Sequence, residues 1–311
     1  MLFHFDGTYP DWASSVLNYG NMGCELFIFA SGFSLYFTMQ KKPTMSDYIG
    51  RRLIRVLLPV VLMRSWEWIP QLVTGKIDFL LLISRWMCFQ FWVSGEQTTW
   101  FFSFILIAYL LYPFVYSFLF ESKGIVWLRT LVLVLFAVTL TLIINRYAPQ
   151  YYDKVEIALT RFPVFFIGCA FGRIVYEKKT VQKNVPLLMF LLCGIVIVSF
   201  IMLRRQVFYG MAKRYFYIVP GVALSVLLPY IFAAVHTKWE KSGFFFRFLG
   251  KCSLELYLLH IMLGYKLLPE LSFFDDRNVI HWLFMLVGCI AISYPVHKLI
   301  TMISSYIVKK R

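Results

Sequence analysis

The sequence predicts an all-α fold, a polytopic bundle of transmembrane helices, and three observations carry that reading. Hydrophobic residues make up 60% of the chain and charged residues only 15%, whereas soluble chains carry roughly a quarter charged. Apolar runs near or above ~18 residues, each long enough for a membrane helix, recur along most of the length. Lys and Arg, which leave a formal net charge of +15, gather in the short loops between those runs, where membrane topology alone would put them. That placement argues against nucleic acid as a partner and for membrane lipids. The 311 residues are read as one integral-membrane domain, 1–311, without internal repeats or low-complexity tracts.

The elements follow in order, punctuated by Gly, Pro and charge. The run 22–39 ends at Lys41-Lys42, and 54–70 is entered through Arg51, Arg52 and Arg55. The run 78–93 contains Asp78, Arg85 and Gln90, which suits a re-entrant or interfacial helix better than a crossing. Then come 99–120, 125–145, 162–176, 185–203, 215–236, 246–268 and 279–308, the last meeting Lys309-Lys310-Arg311. With 78–93 not crossing and the Arg51 loop inside, 18 Lys and Arg lie inside and 12 outside. If 78–93 crossed, the split would be about 14 to 15 and the positive-inside bias would vanish. The expectation is therefore about nine spans plus the 78–93 helix, with the C-terminus cytoplasmic.

Counting back, residues 6–21 lie outside and His4 marks the outer end of a preceding helix that is almost entirely missing. A start site placed too late is the expected explanation, loss of the first span the alternative. Met1-Leu2-Phe3 is too short to be the apolar core of a signal peptide. The six cysteines, Cys24, Cys88, Cys169, Cys193, Cys252 and Cys289, lie in or beside apolar runs without a CxxC pair. They read as small buried hydrophobes.

Ionisable groups in so apolar a chain are costly and are candidates for chemistry. Glu25 lies about one turn into its helix, at a depth similar to His4 by the ~1.5 Å rise per residue. A carboxylate beside an imidazole fixes its tautomer and supports it as a general base; the alternative is an interfacial His and a snorkelling Glu. Arg51, Arg52 and Arg55 share a helix face at i,i+3 and i,i+4 spacing. Their forks suit bidentate phosphate binding or, equally, an anchor on lipid headgroups. Gly250, Ser253, Tyr257 and His260 are predicted on one polar helical stripe, facing a cavity or a neighbouring helix. Arg161 is expected at an outer mouth, as an anion contact or an interfacial anchor. Gly168 and Gly172 predict a close helix contact. His4, His236, His260, His281 and His297 lack metal-ligand spacing.

In order along the chain, these patches resemble the acyltransferase 3 family of membrane O-acyltransferases. The matching residues are His4, then Gly23-Cys24-Glu25-Leu26-Phe27 with Ser31-Gly32-Phe33, then Arg51-Arg52-Leu53-Ile54-Arg55 with Pro59. Trp100-Phe101, Tyr112-Pro113, Arg161 with Phe165 and Gly168, and Gly250 with Ser253, Tyr257 and His260 complete the set. The match runs from about residue 3 to the C-terminal end. The resemblance implies about ten spans with both termini cytoplasmic, in a bacterial inner membrane, and transfer of an acyl group, usually acetyl from acetyl-CoA, to a hydroxyl of an envelope or exported carbohydrate or glycolipid. It makes His4 the catalytic base, Glu25 its acidic partner and Arg51, Arg52 and Arg55 the donor-side cluster. Ser31, Arg161, Ser253, Tyr257 and His260 become candidate substrate or cavity-lining residues, with no metal. The chain departs from the family in having no basic residue ten positions before the histidine and in carrying Leu254 where an aromatic is expected. The rival readings are a glycan or lipid transporter, although no internal repeat supports it, and a non-catalytic relic.

Overall fold

The computed structural model describes residues 20, 22–121, 124–177, 185–238, 240–264 and 279–309. Among them every regular element is helical, as predicted, and no strand occurs. The helices are α1 (Met22–Met39), α2 (Met45–Val73), α3 (Phe79–Trp86), α4 (Gln90–Ser94), α5 (Trp100–Tyr116), α6 (Val126–Tyr147), α7 (Pro149–Leu159) and α8 (Phe162–Tyr176). They continue as α9 (Val185–Arg204), α10 (Gly210–Phe216), α11 (Ile218–Lys238), α12 (Glu240–Lys251), α13 (Ser253–Met262) and α14 (Val279–Lys309).

Seven described segments are long and apolar enough to cross a membrane: 22–39, 97–121, 126–147, 149–176, 185–204, 210–233 and 280–307. Each overlaps a predicted run, although 149–176 begins well before the predicted 162–176 because it includes α7. The two other predicted crossings differ for a physical reason. The helix over 54–70 begins already at Met45 and carries Arg51, Arg52, Arg55, Arg64 and Glu67 along its length. That over 246–268 is divided between α12 and α13. The 78–93 run forms two short helices, of 8 and 5 residues. Neither reaches across a ~30 Å hydrocarbon core. Asp78 caps the first by accepting from the Leu81 N–H at 2.7 Å, and Cys88 separates them in the left-handed region, φ 57°. All six cysteines are free thiols.

The chain divides into two compact units: residues 21–49 with 91–234, and the described residues of 50–90 with 235–311. In the first, called the α1 unit, α1 packs along α8 through glycines. Met22, Glu25, Ile28, Phe29, Gly32, Leu35 and Tyr36 form the buried stripe of α1. A Cβ at Gly32 would collide with the Phe165 carbonyl oxygen, one at Gly168 with the Phe29 carbonyl oxygen, and one at Gly172 would lie 2.7 Å from the Phe33 carbonyl oxygen. The backbones therefore approach along the whole interface, as the Gly168–Gly172 spacing predicted. Phe165 also meets Phe104 and Tyr112 of α5 edge-on, with ring centroids 6.5 and 6.3 Å apart. By contrast α9 buries only Ser199 and Leu203; apolar on all sides, it suits a lipid surround.

Because carbonyl oxygens cannot give way as side chains do, Gly168→Ala is expected to cost about 1–3 kcal/mol, read as a lower melting temperature in detergent. Gly194→Ala in α9, where a Cβ meets nothing within 4 Å, is expected to leave the melt unchanged. Equal melts for the two variants would show that the glycines do not set the α1–α8 distance.

Candidate functional site

Two clusters of polar side chains stand out, one in each unit. In the α1 unit the first turn of α1 carries Glu25 inward, where it is 3% exposed. The corner between α7 and α8 supplies its partner. Thr160 and Arg161 turn the chain, Pro163 opens α8, and the Arg161 side chain folds back so that Nη1 donates to the Ile157 carbonyl at 2.5 Å. Its Nε lies 3.2 Å from Glu25 Oε1, and its guanidinium sits 4.9 Å from the centroid of the Trp100 ring at the start of α5. A flat cation over an aromatic face is held electrostatically, more strongly where water is excluded. Gly221 of α11 borders the same carboxylate, since a Cβ there would come within 2.7 Å of Glu25 Cβ.

The consequence is an asymmetric carboxylate. Oε1 faces a fixed cation, while Oε2 is buried with no hydrogen-bond partner among the described residues. Such an oxygen is an acceptor in waiting, because a buried polar atom left unmatched is costly. A second ion pair in this unit joins Arg214 of α10 to Glu156 of α7 at 2.7 Å.

In the other unit a cleft of about 520 Å³ is lined by Arg51, Arg55, Lys251, Ser253, Leu254, Glu255, His297, Ile300, Thr301 and Ser304. Arg51 and Arg55 come from successive turns of α2, Lys251 from the end of α12, and Ser253 to Glu255 from the first turn of α13. Backbone N–H groups in a first helical turn lack intrahelical acceptors, so this wall favours anions. Against it, Glu255 Oε1 lies 3.0 Å from His297 Nδ1 of α14.

These placements sort the predicted residues. Glu25 and Arg161 come together, and so do Arg51, Arg55 and Ser253. Arg161 is buried at 3% exposure, with Glu25 as its ion-pair partner. Arg52 is half-buried and absent from the cleft wall. Ser31 is half-buried on α1 beside the buried stripe, its carbonyl accepting from Ser34 Oγ at 3.0 Å. Tyr257 and His260 meet ring to ring at 5.3 Å on α13, and neither lines the cleft. The single stripe expected from Gly250 to His260 is interrupted. Cys252 forms a turn between α12 and α13 (φ −102°, ψ 17°), although its N–H still donates to the Phe248 carbonyl at 3.4 Å and its carbonyl accepts from the Leu256 N–H at 2.8 Å. Ser253 Oγ donates to the Gly250 carbonyl at 3.1 Å, a local bond that competes with helix continuation. His4 lies outside the described residues, so its approach to Glu25 is not on view.

The sequence reading passed over Lys251, Glu255, His297 and Thr301 in the cleft, and Trp100 and Gly221 at the carboxylate. Ionisable Glu255 and His297 inside apolar runs were the available signal. Among the described residues no group of three or more His, Cys, Asp or Glu gathers as metal ligands.

Compared with known proteins, residues 1–298 match the acyltransferase 3 family model, described as an acyltransferase domain. No curated protein and no solved structure matches significantly.

Proposed function

The chain belongs to the acyltransferase 3 family of multi-pass membrane acyltransferases, and from that membership we propose that it transfers acetyl from acetyl-CoA to a hydroxyl of an extracytoplasmic carbohydrate or glycolipid. The observation that carries the donor half is the cleft that gathers Arg51, Arg55, Lys251 and Ser253, cations and a hydroxyl suited to the phosphates of coenzyme A. Arg52 belongs to the same basic cluster and adds to its field. The acceptor half rests on His4 as general base with Glu25 as its partner. Glu25 Oε2, left open by Arg161, is the atom that would take the imidazole N–H.

In the proposed step the acceptor hydroxyl gives its proton to His4 as its oxygen attacks the thioester carbonyl. The C–S bond breaks, the C–O ester bond forms, and the coenzyme A thiolate leaves and takes up a proton. No protein acyl intermediate is invoked. Membrane lipids surround the bundle, and the C-terminal Lys309-Lys310-Arg311 is assigned to the cytoplasmic side of a bacterial inner membrane.

Following labelled acetyl from acetyl-CoA into envelope glycan tests this. His4→Ala is expected to lower transfer by roughly 10²–10⁴-fold, the usual range for a lost general base, with acetyl-CoA binding retained. Undiminished transfer would remove His4 from the chemistry. Single cysteines at positions 4 and 52 are expected to label from opposite sides of the membrane with an impermeant reagent. Labelling from one side only would sink the division of roles.

A further inference from the structure

A cleft built only for phosphates has no use for a carboxylate, which repels the ligand's own charge. Yet Glu255 stands in the wall of the cleft with Arg51, Arg55 and Lys251, 4% exposed. Its Oε1 is held by His297 Nδ1 at 3.0 Å, and His297 Nε2 lies 3.5 Å from Thr301 Oγ1 on the next turn of α14. Its Oε2 is buried with no hydrogen-bond partner among the described residues. The arrangement is a fixed acceptor, held by His297 and set in the wall of a basic cavity.

We propose that Glu255, positioned by His297, reads a hydrogen-bond donor carried on the same molecule as the phosphates: the exocyclic amine or ribose hydroxyl of an adenosine 3′,5′-bisphosphate group. This rests on the donor reading of the cleft given above and goes beyond it. Arg51, Arg55 and Lys251 supply strength, and Glu255 supplies choice. A site built to pair a ligand's N–H or O–H discriminates steeply against an analogue without it, because its own buried group is then left unmatched. The cleft would therefore select acyl groups on coenzyme A over the same groups on a phosphopantetheine arm, which carries a phosphate but no adenosine. The volume fits: about 520 Å³ falls within the ~300–1,000 Å³ usual for small-molecule sites and exceeds what a phosphoethanolamine headgroup fills.

The test uses the purified full chain and two soluble probes, adenosine 3′,5′-bisphosphate and pyrophosphate. In Glu255→Gln the ratio of their affinities is expected to fall by about 10-fold, the worth of a hydrogen bond to a charged acceptor. Pyrophosphate itself is expected to bind equally or more tightly once the like charge is gone. His297→Ala, which frees Glu255 without removing it, is expected to shift the ratio the same way by a smaller factor. Parallel weakening of both probes would make Glu255 merely structural and overturn the inference. So would an unchanged ratio, or competition by phosphoethanolamine as strong as by the nucleotide. If neither probe binds the unaltered chain, the donor reading of the cleft falls first and takes the inference with it.

Discussion

Arg161→Met is expected to destabilise the protein by roughly 3–5 kcal/mol and to suppress acyl transfer at least ~100-fold, the first from stranding a buried charge and the second from misplacing it. Glu25 is 3% exposed, and its ion-pair partner is the guanidinium 3.2 Å away. Water cannot replace that cation, and methionine, though it fills similar space, offers the carboxylate nothing. The Trp100 face would also lose the cation 4.9 Å from its centroid. The informative companion is Glu25→Gln combined with Arg161→Met. Replacing both members of a buried pair by neutral groups is often close to neutral in stability, so the double variant is expected to recover most of the melting temperature. It is not expected to recover transfer, because the carboxylate proposed to support His4 is gone. Melting in detergent and labelled-acetyl transfer, measured on both variants, separate the two roles. Activity returning with stability in the double variant would reduce the pair to a structural clamp.

How far the chain could be read without a structure depends on which physics each feature obeys. Crossing helices were legible because a bilayer dictates length and apolarity locally, and the runs 22–39, 99–120, 125–145, 162–176, 185–203, 215–236 and 279–308 each hold a helix close to their predicted limits. The start of α2 was missed by nine residues because Asp47, Arg51 and Arg52 interrupt the apolar pattern while leaving the helix intact. The amphipathic α7 was overlooked for the same reason, its Asp153, Lys154 and Glu156 reading as loop. Gly168 and Gly172 announced a close contact, but nothing local named Gly32 and the α1 backbone as the other side. The Glu25–Arg161 pair spans separate helices, and each residue was flagged singly for being ionisable in apolar surroundings. Their meeting is tertiary and carries no local pattern. The turn at Cys252 falls inside an apolar run, where periodicity does not announce it.

Arg51→Gln with Arg55→Gln is the second large effect: KM for acetyl-CoA is expected to rise at least ~100-fold with kcat little changed, since each lost charge-assisted contact is worth ~1.5–3 kcal/mol. The two side chains project from one face of α2 into the same cleft, so neither is replaced by the other when both are removed. Arg52→Gln, outside the cleft wall, is expected to change KM only a few-fold through the general field. A headgroup anchor makes the opposite forecast. If these arginines merely hold α2 at the interface, their loss disturbs insertion and the amount of folded protein while the surviving molecules keep their KM. The 3′-phosphate of the donor gives a sharper criterion. The unaltered enzyme is expected to prefer acetyl-CoA over its dephospho analogue, and the double variant is expected to lose that preference. Added salt should erode the preference in the unaltered enzyme too, because exposed Arg51 and Arg55 act on the phosphate through screened water. A preference that survives both removal of the arginines and high salt would place phosphate recognition elsewhere in the chain.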